Sequence, residues 1–353
     1  MLLEGNAREK FAALSPNLTP TLWEMIEQVA TQGVNENASR TLATQVQPQG
    51  RYVERAIGDA RAPRKAKIAM AMPAVEAIVG EDSYARPNGA IYHARMWGEH
   101  KDVATLRKAR EATTKAVVEG IGSPMFAFLY GAPGCGKTAL VEAAFGDEVE
   151  TLVGNGDIEL ADLIGSYVQT PSGNFEWIDG GLVRAAENGW TYFIDEIGLI
   201  DPKVLAAIYA LMDGRRELQI TVNPERGTIK AHPNFYVVAA TNPNAPGVRL
   251  SEALLSRFVI QAEMTTDWTL AKKLGVPAIL VTAAQNLYRK QLDNQVSWSP
   301  QMRELLAFRD IATTFGTAFA ISNLISASPE GDRAIVTDVL SRAFGEEVKP
   351  AKI

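Results

Sequence analysis

A parallel β-sheet covered by helices, followed by an all-helical region, is what this 353-residue chain predicts. Five apolar runs, MFAFLY (125–130), EVETLV (148–153), WTYFID (190–195), NFYVVAAT (234–241) and RFVIQAE (257–263), alternate with helical patterns. Such alternation is the mark of an α/β fold with a parallel sheet between helix layers. The stretch GAPGCGKT (131–138) sits between the first run and the helical pattern TALVEAAFG. From about residue 267 onward the pattern is helical without another strand, and Pro277 and Pro300 fall near helix starts.

Taken in order, the first 120 residues read as a mainly helical extension. Thr19 is placed to cap a helix begun by Pro20, with Leu22, Trp23, Ile26, Val29 and Ala30 on its inner side. VNENASRTLATQVQPQG then loses periodicity. RYVERAIGDARAPRKAK (51–67) holds six basic and two acidic residues. It reads either as a contact for an acidic partner or phosphates, or as a solvated helix face beside a loop. A helix from about Asp102 to Glu119, ended by Gly120, leads into the first strand. The expected division is an extension over 1–120, an α/β core over 121–265 and a helical lid over 266–353.

Composition limits the function. Lys and Arg number 35 against 41 Asp and Glu, a net charge of −6, so no global positive field is available to hold nucleic acid. Residues 1–120 carry 16 basic and 14 acidic side chains, which leaves the acidic excess on the part that carries GAPGCGKT. A single cysteine, Cys135, excludes an intramolecular disulfide and a four-cysteine metal site, as expected of a reducing compartment. MLLEGNAREK lacks a signal-type apolar run, and no stretch approaches the roughly 18 consecutive apolar residues of a membrane span. The expectation is a soluble, cytoplasmic chain.

GAPGCGKT fits G-x-x-x-x-G-K-[ST] in the strand-to-helix setting the chemistry needs. Its glycines let backbone N–H groups close around phosphates, and the helix N-terminus adds its positive dipole end. The cofactor-binding set is Gly131, Ala132, Pro133, Gly134, Cys135, Gly136, Lys137, Thr138 and Ala139. Lys137 is positioned for the β- and γ-phosphates of ATP, and the Thr138 hydroxyl for Mg2+. Cys135 occupies a free motif position, with a redox thiol as the other reading. WTYFIDEIG ends a buried strand in Asp195 and Glu196: Asp195 to hold magnesium, Glu196 to orient and deprotonate water, or both to cap the following helix. AATNPN brings Asn242 to the end of another strand, as a holder of the same water or as plain Asn-Pro turn chemistry. LSEALLSRF places Arg257 before the fifth strand, where it reaches a neighbour's nucleotide or pairs with a carboxylate.

GAPGCGKT, FIDEIG, AATNP and ALLSRF, in this order, resemble an AAA+ ATPase. GDIELADLIGSYVQTPSGNFEWIDGGLVRAAENG (156–189) is similar to the hairpin-interrupted second helix of the MoxR-like, dynein-related branch, and LQITVNPERGTIKAHPNF (218–235) resembles a second insert hairpin. The resemblance covers about residues 125–345. It implies a sheet order 5-1-4-3-2, numbering the five strands along the chain, hairpin inserts near 165–178 and 218–235, and a helical lid. It implies ATP and Mg2+ as cofactors, and Asn242 as a first sensor beside Glu196. Arg257 is then a finger, Arg249 the lesser candidate, and Arg303 in WSPQMRELLAFRD the lid's second sensor, with Arg309 its rival. It further implies a nucleotide-dependent hexameric ring. Tyr167, Phe175 and Trp177 either grip a substrate at the ring face or pack the hairpin on itself. Remodelling of a protein partner, commonly one with a von Willebrand factor type A domain, is the first functional expectation. A nucleic-acid motor of the McrB or helicase type, supported by the run at 51–67 and Arg215-Arg216, is the alternative, and a nucleotide-gated switch a third.

Overall fold

A computed structural model describes residues 82–345 and 349–350. The helix expected after Thr19 and the basic run at 51–67 lie outside the described residues. The described residues fall within one compact unit.

The unit begins with two small antiparallel hairpins rather than helix: β1 (Ser83–Ala85) with β2 (Ile91–His93), and β3 (Met96–Trp97) with β4 (His100–Lys101). Asn88-Gly89 makes the first turn, where Gly89 takes a φ of 80° and the Asn88 carboxamide oxygen accepts from the Ala90 N–H. Helix α1 (Asp102–Glu119) follows with the bounds read from sequence, and Gly120 at φ 67° stops it. Its Val103, Leu106 and Ala109 are buried in the same core as the sheet. Arg107 of α1 donates to the Ala143 and Ala144 carbonyls at 3.1 and 2.7 Å, and so caps the end of the helix behind the phosphate loop.

The central sheet contains β5 (Ala127–Tyr130), β6 (Val149–Val153), β9 (Thr191–Asp195), β12 (Tyr236–Thr241) and β13 (Ile260–Glu263). Their spatial order is β13-β5-β12-β9-β6, all parallel, which is the predicted 5-1-4-3-2. Burial follows position. β12, in the centre, is buried at all six residues, whereas edge strands β6 and β13 are partly exposed. Helices α2 (Lys137–Phe145), α3 (Leu160–Ile164), α4 (Gly181–Asn188), α5 (Pro202–Met212) and α6 (Glu252–Leu255) connect the strands.

Two hairpins interrupt this scheme, β7 (Gly165–Gln169) with β8 (Phe175–Asp179) and β10 (Glu217–Gln219) with β11 (Thr228–Lys230). After β13 come α7 (Trp268–Lys273), α8 (Ala278–Leu292), α9 (Met302–Phe315), α10 (Thr317–Ala327) and α11 (Arg333–Phe344). These helices enclose a second core centred on Leu280, Leu287, Leu305, Phe308 and Leu324. Pro277 precedes α8, and Gln301, just after Pro300, forms a capping box with Glu304 at the start of α9. No helix among the described residues is long and apolar enough to cross a membrane.

Candidate functional site

In parallel sheets ligands gather beyond the carboxyl ends of the strands, and that edge is where the candidate residues meet. Tyr130, the last residue of β5, pairs with Thr241, the last of β12, while Asp195 ends the adjoining β9. The loop 131–136 leaves β5 and turns into α2 through Gly134 and Gly136, at φ 83° and 96°. Gly134 has a second reason to lack a side chain: a Cβ there would lie 3.1 Å from the Arg303 Cβ of the lid. At Gly131 a Cβ would sit 2.2 Å from the Met264 carbonyl oxygen, in the strand-to-lid connection. Gly131 and Gly134 therefore leave little room for a side chain, because the lid and its connection touch them directly.

Lys137 is buried, and its Nζ donates to the Gly131 and Ala132 carbonyls at 2.8 and 3.2 Å. Among the described residues it has no carboxylate partner, so its charge is left for an anion at the loop mouth. Burial pushes the Cys135 thiol above its ordinary value, opposite to the thiolate that redox chemistry needs.

The acidic pair follows four buried residues of β9. Thr138 Oγ1 donates to Asp195 Oδ2 at 2.8 Å, which joins the first turn of α2 to the end of β9. Glu196 adopts φ 52° and ψ 43°, a left-handed conformation uncommon outside glycine. Its Oε2 accepts from the Asn242 backbone N–H at 3.0 Å. The pair makes no side-chain cap: Glu196 precedes a 3-10 turn at Ile197–Leu199 without a side-chain capping bond, and α5 is capped by Asp201, which accepts from the Lys203 N–H, with Pro202 at the first position. Asn242 engages Glu196 through its main chain, while its own Oδ1 accepts from the Asn244 N–H at 3.2 Å, so its side chain serves the turn.

Lys137, Thr138, Asp195 and Glu196 line a cavity of about 480 Å³ together with Tyr92 and His93 of β2 and apolar side chains of the lid, among them Leu274, Met302 and Leu306; Asn242 stands outside that lining. Arg303 is exposed, lines the cavity and has no hydrogen-bond or ion-pair partner for its guanidinium among the described residues. Arg309 is instead tied to Asp310 and to the Leu274 carbonyl. Arg257 stands outside the cavity, its guanidinium 4.3 Å from the centre of the Tyr209 ring and bonded to the Ala253 carbonyl, not to a carboxylate. Arg249 is exposed, held by its backbone N–H on the Gly198 carbonyl. On the β7–β8 hairpin Tyr167 lies directly opposite Trp177 with ring centroids 5.3 Å apart, while Phe175 remains 66% exposed.

Sequence reasoning missed the contribution of the hairpins before α1. Arg86 reaches the cavity and pairs with Glu142 of α2 at 2.7 Å, and Arg95 lies under the phosphate loop. The available signal was Asn88-Gly89 between Tyr84 and Tyr92, a hairpin turn flanked by very short strands.

The donor set suits magnesium. Among the described residues no group of three or more His, Cys, Asp or Glu could hold a metal. The bonded oxygens of Thr138 and Asp195 are the small protein contribution expected of Mg2+, which takes much of its shell from water and substrate phosphates.

A glycine-built loop between buried strand and helix, with an acidic pair on a nearby strand end, defines a P-loop nucleotide-binding α/β protein. Residues 127–258 match the model of the AAA domain of the dynein-related subfamily. Midasin of Dictyostelium discoideum is 34% identical over 152 residues, 40% of this chain and 2% of midasin. Protein NorQ of Paracoccus denitrificans is 35% identical over 136 residues, 37% of this chain and 49% of NorQ. The matched stretch is thus about half the length of NorQ and a small fraction of midasin. Among solved structures, NtrX of Brucella abortus in complex with ADP is similar over 83% of this chain and 66% of that one, at 13% identity and a TM-score of 0.39.

Proposed function

We propose that the chain binds ATP with Mg2+, hydrolyses it, and uses the cycle to remodel a protein partner within a ring of its own copies. The observation that carries the hydrolytic part is the Glu196 carboxylate, held by the Asn242 N–H at 3.0 Å beside the Thr138–Asp195 contact. In this reading the first-turn N–H groups of α2 and the Lys137 ammonium hold the phosphate chain, while Thr138 and Asp195 hold the metal. Magnesium, when bound, neutralises charge on the β- and γ-phosphates. Glu196 orients a water and takes its proton as the water oxygen bonds to the γ-phosphorus and the bridging oxygen leaves with ADP. Arg303 reaches the transferring group from the lid, and Arg257 serves the nucleotide of an adjacent copy.

A protein partner, with a von Willebrand factor type A domain as the leading class, is supported by the subfamily and by the acidic balance of the core. The test is the steady-state ATPase rate across protein concentrations, with and without single- and double-stranded DNA, using Glu196→Gln as the blank. A rate per chain that rises with concentration and ignores DNA is expected. No turnover above the blank removes hydrolysis, and strong stimulation by DNA replaces the remodeller with a nucleic-acid motor.

A further inference from the structure

Arg95 has more donors than the protein uses. It sits between β2 and β3, and the two ends of its guanidinium face different tasks. Its Nε donates to the Tyr92 hydroxyl at 3.1 Å and lies 3.5 Å from Asp102 Oδ2. Its Nη1 donates to two carbonyls, Cys135 of the phosphate loop at 3.0 Å and Thr265 of the strand-to-lid connection at 3.1 Å. Nη2 is buried and has no partner. It is the nearest atom to the Cβ that Gly136 lacks, 3.7 Å from that position.

The pose is fixed from behind. Asp102 Oδ1 accepts from the Arg95 and Val103 N–H groups at 3.0 and 2.8 Å, and Oδ2 accepts from the Tyr92 hydroxyl at 2.5 Å. The carboxylate is thereby occupied, and the Arg95 side chain is only 11% exposed. A buried guanidinium N–H without a partner is costly, and such groups in native proteins call for an explanation. Here Arg95 lines the same cavity as Lys137 and Thr138, and its Nη2 lies by Gly136 of the loop whose shape suits phosphates.

We propose that Arg95 is a further phosphate-binding residue: its Nη2 donates to the phosphate chain of the bound nucleotide while Nη1 holds the loop and the lid connection. This rests on the nucleotide-binding reading of the site. The arrangement has a mechanical side as well. One rigid, planar group spans the ligand, the Cys135 carbonyl and the Thr265 carbonyl, so phosphate occupancy and the start of the lid share a single anchor.

The experiment is displacement of a fluorescent ADP analogue by ATP, ADP, adenosine and inorganic pyrophosphate from wild type, Arg95→Lys and Tyr92→Phe. Arg95→Lys keeps the charge but not the fork, and is expected to lose about tenfold or more toward ATP, ADP and pyrophosphate with adenosine unchanged. Tyr92→Phe removes the hydroxyl that accepts from Nε and donates to Asp102 while leaving Nη2 in place, and is expected to lose clearly less than Arg95→Lys. Equal binding by Arg95→Lys overturns the proposal, as does a loss that Tyr92→Phe equals or adenosine shares, because the effect then runs through the scaffold of the loop. Wild-type chain that takes none of these ligands brings down the nucleotide reading itself. Should Arg95→Lys not fold, a crystal structure of the unaltered chain with ADP reads the contact directly: Nη2 within 3.5 Å of a phosphate oxygen is expected, and a distance beyond about 4 Å overturns it.

Discussion

Cys135 illustrates how one position in a motif acquires its properties from its surroundings. It occupies a variable place in GAPGCGKT, yet it is 1% exposed, and burial raises its thiol above the ordinary value. A neutral, enclosed thiol is a poor nucleophile. We predict that iodoacetamide at pH 8 leaves Cys135 unmodified in the folded chain and modifies it fully in denaturant; rapid labelling of the folded chain would restore the redox reading. The same lesson holds for Asn242. The residue was legible from AATNP, but whether its amide side chain or its backbone meets Glu196 depends on the turn it enters. Its main-chain N–H makes that bond, at 3.0 Å.

Elements are where the two inserts become connected. Arg226, between β10 and β11, forks onto Asp179 at the end of β8, with contacts of 3.0 Å, and also pairs with Glu187 of α4. The hydrogen bonds from Arg226 hold the Asp179 carboxyl below its ordinary range. A carboxylate whose folded pKa is depressed stabilises the protein above its unfolded value of about 3.9, and that contribution is lost as pH falls through the folded pKa. Asp179→Asn is therefore expected to cost about 1 kcal/mol at pH 7, given that both partners are about a quarter exposed. The gap in Tm between the two proteins narrows as pH drops below about 4. Thermal melts from pH 7 to 3.5 check this, and a gap that is absent at pH 7 or constant with pH counts against the clasp. Neither hairpin hides its sequence signal, but the pairing of Arg226 with Asp179, 47 residues apart, leaves no local trace.

On the scale of the whole molecule the decisive fact is that Arg257 does not reach its own cavity. It lies on the Tyr209 ring and the Ala253 carbonyl, while Arg303 lines the cavity from the lid. An arginine that completes a neighbour's site is worth roughly 10³ to 10⁵ in rate where such fingers operate. Arg257→Ala is expected to bind ATP and lose turnover, as is Glu196→Gln. Mixing the two inactive chains should restore part of the wild-type rate, because Glu196→Gln chains supply Arg257 to the intact loops of Arg257→Ala chains. ATPase assays of the mixture, together with its mass in ATP, give the answer. No recovery in a mixture that does assemble places Arg257 outside the reaction.

The strands, the α1 bounds, the phosphate loop and the acidic pair could be read from the chain, because each depends on local patterns: apolar runs, glycine spacing, a carboxylate ending a buried strand; the order of the strands came only through the family resemblance. Tertiary structure decided what those patterns meet. The hairpins of residues 83–101 have strands of only two or three residues, too short for periodicity, and gain their stability by packing on the core. Which of Arg303 and Arg309 lines the cavity depends on how the start of α9 meets the loop, where the Arg303 N–H donates to the Gly134 carbonyl at 3.2 Å. Arg95 became visible only when a chain segment 40 residues away folded beneath Cys135, since a long-range contact made through a backbone carbonyl imposes no pattern on the sequence.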